Sequence, residues 1–273
     1  MQSRGRAEEG HWLEVPGARL CYEVLGSGPL LLIVGHPAGT EDFAMLAHEL
    51  ATDHRVVTYD PRGFGRSTIE NPDQDADPKL LAEDAVRVLR AVGGAPAYVF
   101  GSSGGAVTGL ALVADHPELV RTLLAHEPPV ALLLPDSAVA RAGVERVYET
   151  FTKSGILAAW REFAVFTKMD IPFEPPDAVP GPPPAEMIAT SERFFRHGLL
   201  PIVLYSPDIP AILSTSARVE IGAGRASVGQ FPRQTAEALA TRLGKPLVEF
   251  PGGHGGFESD TKDFAKVLRR VFT

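Results

Sequence analysis

The chain has 273 residues, a formal net charge of −8, and a composition that is 44% hydrophobic and 22% charged. This balance supports a sizeable core and excludes a disordered chain, while the negative charge argues against nucleic acid or an anionic membrane as a partner. Cys21 is the single cysteine, so no internal disulfide and no cysteine-based metal site is expected, and its strand context makes it a buried spectator. The first nine residues carry no apolar stretch and no run reaches membrane-spanning length. The expectation is a cytoplasmic protein acting on a small molecule.

In chain order, strands and helices alternate. Trp12 to Val15 and Leu20 to Leu25 flank Pro16-Gly17 as an opening hairpin. Leu30 to Val34 is a continuous apolar run, as a strand covered on both faces requires. A helix over Glu41 to Thr52, a strand over Arg55 to Tyr59 and a helix over Pro78 to Val92 follow. Ala97 to Phe100 is then a strand, Gly104 to Asp115 a small-residue helix, and Val120 to Ala125 a strand. Between Pro128 and Ser216 the alternation lapses into helices over Asp136 to Lys153, Ile156 to Met169 and Ala185 to His197. It resumes with a strand over Arg218 to Ile221, a helix over Arg233 to Leu243, a strand over Leu247 to Phe250 and a helix over Asp260 to Phe272. The pattern predicts a mostly parallel sheet with helices on both faces. Residues 1–127 and 217–273 form the core, and 128–216 is a helical insertion capping the carboxyl edge of the sheet.

Gly101-Ser102-Ser103-Gly104-Gly105 lies between a buried strand and a helix. Strand, sharp turn and helix is the context in which Gly-x-Ser-x-Gly becomes a nucleophile elbow, with Ser103 lifted above the sheet edge. The helix start turns the Gly104 N–H towards the reacting centre. An acyl-transfer serine needs a second oxyanion donor. The His36 N–H, in the turn after Val34, is the candidate, because Pro37 has none. His254 follows the last strand within Pro251-Gly252-Gly253-His254-Gly255-Gly256, where the base of a Ser, acid, His order belongs. The turn after the next-to-last strand, Gly222 to Gly229, has no carboxylate. One strand earlier Glu127 stands at a carboxyl end before Pro128-Pro129, and it is expected to orient His254. Asp208 is the alternative, but it precedes its strand.

Together these residues resemble the α/β-hydrolase superfamily over almost the whole chain. In that resemblance Gly35-His36-Pro37-Ala38-Gly39 is similar to the His-Gly-x-Pro oxyanion turn, with Val34 in place of the histidine. Tyr59 to Ser67 is similar to the Asp-x-x-Gly-x-Gly-x-Ser loop, with Asp60 tying a turn. The placement of Glu127 resembles haloalkane dehalogenases and zearalenone-type lactone hydrolases. The former use an aspartate nucleophile, which Ser103 is not, and the latter share the pair His126-Glu127. The resemblance implies a cap-bearing serine hydrolase of a small to medium apolar ester or lactone, needing no metal or cofactor. Carbon–carbon bond or thioester hydrolysis on the same triad, or a low-turnover ligand-binding receptor, are the alternatives.

Of the aromatic residues at helical spacing in the insertion, Trp160 and Phe195 are the candidates to line a pocket. Ile171 to Pro184, with seven prolines, reads as an extended strap between cap helices. Gly222-Ala223-Gly224 echoes a dinucleotide loop but lacks its third glycine and its early place in the chain.

Overall fold

Nine strands form one sheet among the residues that the computed structural model describes, which are 10–93, 96–169 and 184–273. The strands are β1 (His11–Val15), β2 (Ala18–Leu25), β3 (Leu30–Val34), β4 (Arg55–Tyr59), β5 (Thr68–Ile69), β6 (Ala97–Ser102), β7 (Val120–His126), β8 (Arg218–Gly224) and β9 (Leu247–Phe250). Their spatial order is β1-β2-β4-β3-β6-β7-β8-β9, with β5 pairing the outer part of β2. From β4 to β9 every pairing is parallel, while β2 runs antiparallel to β1, β4 and β5.

The period-2 alternation of side chains sorts each parallel strand onto two covered faces. Leu32, Val34, Val99, Leu123 and Ile221 pack on one face against α2 (Pro78–Ala91), α3 (Gly104–Asp115) and α8 (Phe231–Leu243). Leu31, Ile33, Phe100 and Leu124 pack on the other against α1 (Ala44–Leu50), α9 (Gly256–Ser259) and α10 (Thr261–Val271). With both faces sealed, only the strand ends are open for chemistry. The sheet is mostly parallel with helices on both faces, as the alternation predicts.

Between β7 and β8 lie α4 (Ser137–Thr167), α5 (Ala185–Arg193), one turn of π-helix (Phe194–Gly198), α6 (Leu199–Val203) and α7 (Ile209–Ser214). They enclose their own apolar cluster, in which Val144, Val147, Phe151, Phe195 and Leu199 meet Phe64 and Phe231 of the sheet unit. The two helices expected over 136–153 and 156–169 are both present within α4 and meet at Gly155, whose φ of 81° and ψ of −176° are not helical. The helix expected from Glu41 begins at Ala44, because Asp42 instead accepts the Gly39 N–H at 2.7 Å and closes a turn. The helix expected from Arg233 begins two residues earlier, with Pro232 in its first turn, where the missing N–H costs nothing. Most of the proline-rich strap lies outside the described residues. No helix among the described residues is long and apolar enough to cross a membrane.

Candidate active site

Ser103 sits between β6 and α3 with φ 56° and ψ −124°, a conformation an L-residue holds only when its surroundings over-determine it. Close packing supplies that constraint. A Cβ on Gly101 would lie 2.6 Å from the Gly105 carbonyl oxygen, and one on Gly105 would overlap the Val34 carbonyl. Both glycines are therefore required for α3 to start against β3 and β6. The Ser103 N–H donates to the His126 carbonyl at 3.0 Å, tying the elbow to the end of β7.

The residue after His126 is Glu127, also at positive φ, 48°. Among the described residues the non-glycine positions with positive φ are Ser103, Glu127 and Lys168. Two of the three belong to one constellation, which is how strain gathers at functional sites. The Glu127 N–H donates to the Gly222 carbonyl at 2.9 Å, so β8 holds its backbone.

The Glu127 side chain is fully buried. Its Oε1 accepts the Gly224 N–H at 2.9 Å and its Oε2 lies 2.6 Å from His254 Nδ1. Burial by itself would push this carboxyl up. The hydrogen bond from His254, the nearby His126 and His254 rings and the Gly224 N–H outweigh it and bring the pKa to about 2. An ionised carboxylate only accepts, so Nδ1 of His254 carries the proton and Nε2 is left as the basic nitrogen. The turn without a carboxylate thus still serves the acid, by giving it a backbone donor. Asp208 is elsewhere: its side chain accepts the Ala211 N–H at 3.0 Å and caps α7.

His36 follows β3. Its ring is buried, and burial together with Arg193 lowers its pKa to about 4, so the imidazole is neutral. No backbone carbonyl among the described residues accepts the His36 or the Gly104 N–H. The two residues are adjacent, since a Cβ on Gly104 would lie 2.7 Å from the His36 carbonyl oxygen.

Ser103, His254, His36 and Gly104 line one cavity of about 280 Å³. The structure shows the His254 ring bonded to Glu127 and not to Ser103; contacts between a nucleophile and its base commonly tighten only in the complex with substrate. Trp160, Phe163, Phe194, Ile202, Phe231 and Pro232 also line the cavity. Trp160 therefore stands where it was expected, but Phe195 does not. The π-turn directs Phe194 into the cavity and Phe195 behind it, fully buried and stacked on Phe151 at 5.6 Å. The spacing of the aromatics could not separate these neighbours. Phe231 and Pro232 were also missed, although they follow a strand's carboxyl end, the position that signals a site in such a sheet.

Asp60 acts as a structural tie: it accepts the Thr40 N–H at 2.7 Å and the Arg66 N–H at 3.0 Å. Cys21 is buried and unbonded, and burial raises its thiol pKa. No cluster of metal-ligating side chains occurs among the described residues.

Residues 28–157 match the family described as the alpha/beta hydrolase fold. The chain is 35% identical over 261 residues to the uncharacterized hydrolase YraK of Bacillus subtilis, covering 94% of this chain and 93% of that one. It is 36% identical over 264 residues to a zearalenone hydrolase of Cladophialophora bantiana, covering 92% of each. Its fold superposes on the esterase EaEST of Exiguobacterium antarcticum with a TM-score of 0.76 at 18% identity, covering 97% of this chain and all of the other. Strand order, elbow and full-length likeness agree, and the chain is a hydrolytic enzyme that belongs to the α/β-hydrolase family.

Proposed function

We propose that this enzyme is a serine hydrolase that cleaves a carboxylic ester or lactone of a small to medium apolar substrate through an acyl-enzyme. The observation that carries the reading is the 2.6 Å contact of buried Glu127 with His254, a residue that lines one cavity together with Ser103. In this mechanism Nε2 of His254 takes the Ser103 proton as Oγ attacks the carbonyl carbon, and then delivers it to the leaving alkoxide. Glu127 fixes the tautomer and stabilises the imidazolium. The His36 and Gly104 N–H groups hold the oxyanion, and removing one such donor in other enzymes costs about 10²–10³ in rate. Water then repeats the cycle on the acyl-enzyme, giving an acid and an alcohol, or a hydroxy acid from a lactone.

The apolar preference rests on a lining of aromatic and aliphatic side chains that includes no Asp, Glu, Lys or Arg among the described residues. The inserted helices, within residues 128–216, act as the cap that supplies most of this lining, with Phe231 and Pro232 added by α8. The name of the zearalenone hydrolase relative adds weight to the lactone option. The test is a panel of esters, lactones and thioesters of graded size, assayed with the wild type and Ser103→Ala. Turnover of apolar esters or lactones that vanishes in Ser103→Ala supports the reading. Turnover confined to thioesters, or unaffected by the substitution, contradicts it.

A further inference from the structure

The ring of His36 is clamped by three separate elements. On one side a Cβ at Gly104 would stand 3.2 Å from its Nδ1. On another the Phe64 ring meets it edge-on, with centroids 5.0 Å apart. On the third, a Cβ at Gly198, the last residue of the π-turn, would lie 3.0 Å from its Cε1. Gly198 has φ −103° and ψ −47°, values any L-residue adopts. Its backbone therefore does not require glycine; a Cβ there would instead press on the His36 ring, which would have to give by a few tenths of an ångström.

The π-turn is itself fastened to the sheet unit. Arg193 Nη1 donates to the Pro72 carbonyl at 2.9 Å and Nη2 to the Gln74 carbonyl at 3.3 Å. Its guanidinium carbon lies 5.6 Å from the centre of the Phe64 ring. His197 Nδ1 lies 2.9 Å from Asp75 Oδ1, and the Ala76 N–H donates to the His197 carbonyl at 2.8 Å. Arg193 and His197 thus seat the turn, and Gly198 and Phe64 press the seated turn onto His36. Single turns of π-helix are found frequently at functional sites.

We infer that Gly198 and Arg193 are positioning residues for the reaction: through the Phe64–His36 packing, the seated π-turn sets the direction of the His36 N–H towards the oxyanion. The inference rests on the proposed role of that N–H. Oxyanion donors act chiefly in the transition state, so disturbing them lowers kcat and spares KM. With p-nitrophenyl butyrate as the probe ester, Gly198→Ala is expected to lower kcat about tenfold or more with KM changed less than about threefold. Arg193→Met is expected to act in the same direction more weakly. In a His36→Ala background, where the N–H remains and the ring is gone, Gly198→Ala should cost nothing further.

A merely structural role predicts instead a lower melting temperature with the kcat of the folded enzyme unchanged. That result, or an undiminished Gly198→Ala effect in the His36→Ala background, overturns the inference. If Gly198→Ala does not fold, an unchanged kcat in folded Arg193→Met overturns it equally. Ser103→Ala is run alongside: persistent turnover there contradicts the serine-hydrolase reading, independently of Gly198.

Discussion

Single residues account for most of the chemistry. Glu127 has one oxygen on a backbone N–H and the other on His254, so Glu127→Gln preserves shape while removing the charge that sets the tautomer. Loss of the corresponding acid in serine proteases costs on the order of 10⁴-fold in kcat, and a similar loss in kcat is expected here, with partial relief at high pH. Asp208→Asn is the control; Asp208 caps α7, and its substitution should leave kcat unchanged. Trp160 and Phe195 separate in the same way. Trp160→Ala enlarges the cavity and should reorder rates across esters of increasing size. Phe195→Ala empties a buried position and should cost about 3–5 kcal/mol in denaturant unfolding without reordering them. The placement of Ser103, His254 and Glu127 was legible in the sequence because each lies just beyond the carboxyl end of a strand. Phe194 was not, because a π-turn shifts the register by one residue and leaves no mark in the spacing.

At the scale of elements, the buried parallel strands were the most legible part, since Leu30 to Val34 and Ala97 to Phe100 are apolar throughout. The short helices α6 and α7 were not, because their boundaries are set by packing against α3, α4 and α8 rather than by periodicity. The helix expected from Arg233 takes in Phe231 and Pro232 as well, because proline is accommodated in a first turn. The break at Gly155 was readable, but its geometry was not. Its φ of 81° with ψ near 180° is essentially open only to glycine and strains any other residue by about 1–3 kcal/mol. Gly155→Ala should therefore lower the melting temperature. A rise would show instead that α4 runs straight, since alanine in a continuous helix gains about 1 kcal/mol over glycine.

For the whole molecule, two buried histidines govern the response to acid. His36 and His126 are held neutral, with burial the leading cause and pKa values lowered from 6.5 to about 4. The unfolded chain thus binds more protons than the native one between these values, so stability rises with pH across that window. Each histidine contributes on the order of 3 kcal/mol that is present above pH 6.5 and lost as pH falls towards 4. Glu127, with its pKa lowered from 4.5 to about 2, keeps its contribution above pH 4.5 and loses it progressively as pH falls from there towards 2. Unfolding measured from pH 7 to 4 should show this slope, and His126→Phe, which keeps a ring among Phe100, Phe250 and Phe264, should flatten it. An equally steep slope in that variant would contradict the assignment to His126. The proposed role of Ser103 as nucleophile is tested most directly by reaction with a fluorophosphonate and peptide mapping of the adduct. One adduct is expected, on Ser103, absent from folded Ser103→Ala; an adduct on Ser102 or elsewhere, or labelling that survives Ser103→Ala, would rule Ser103 out.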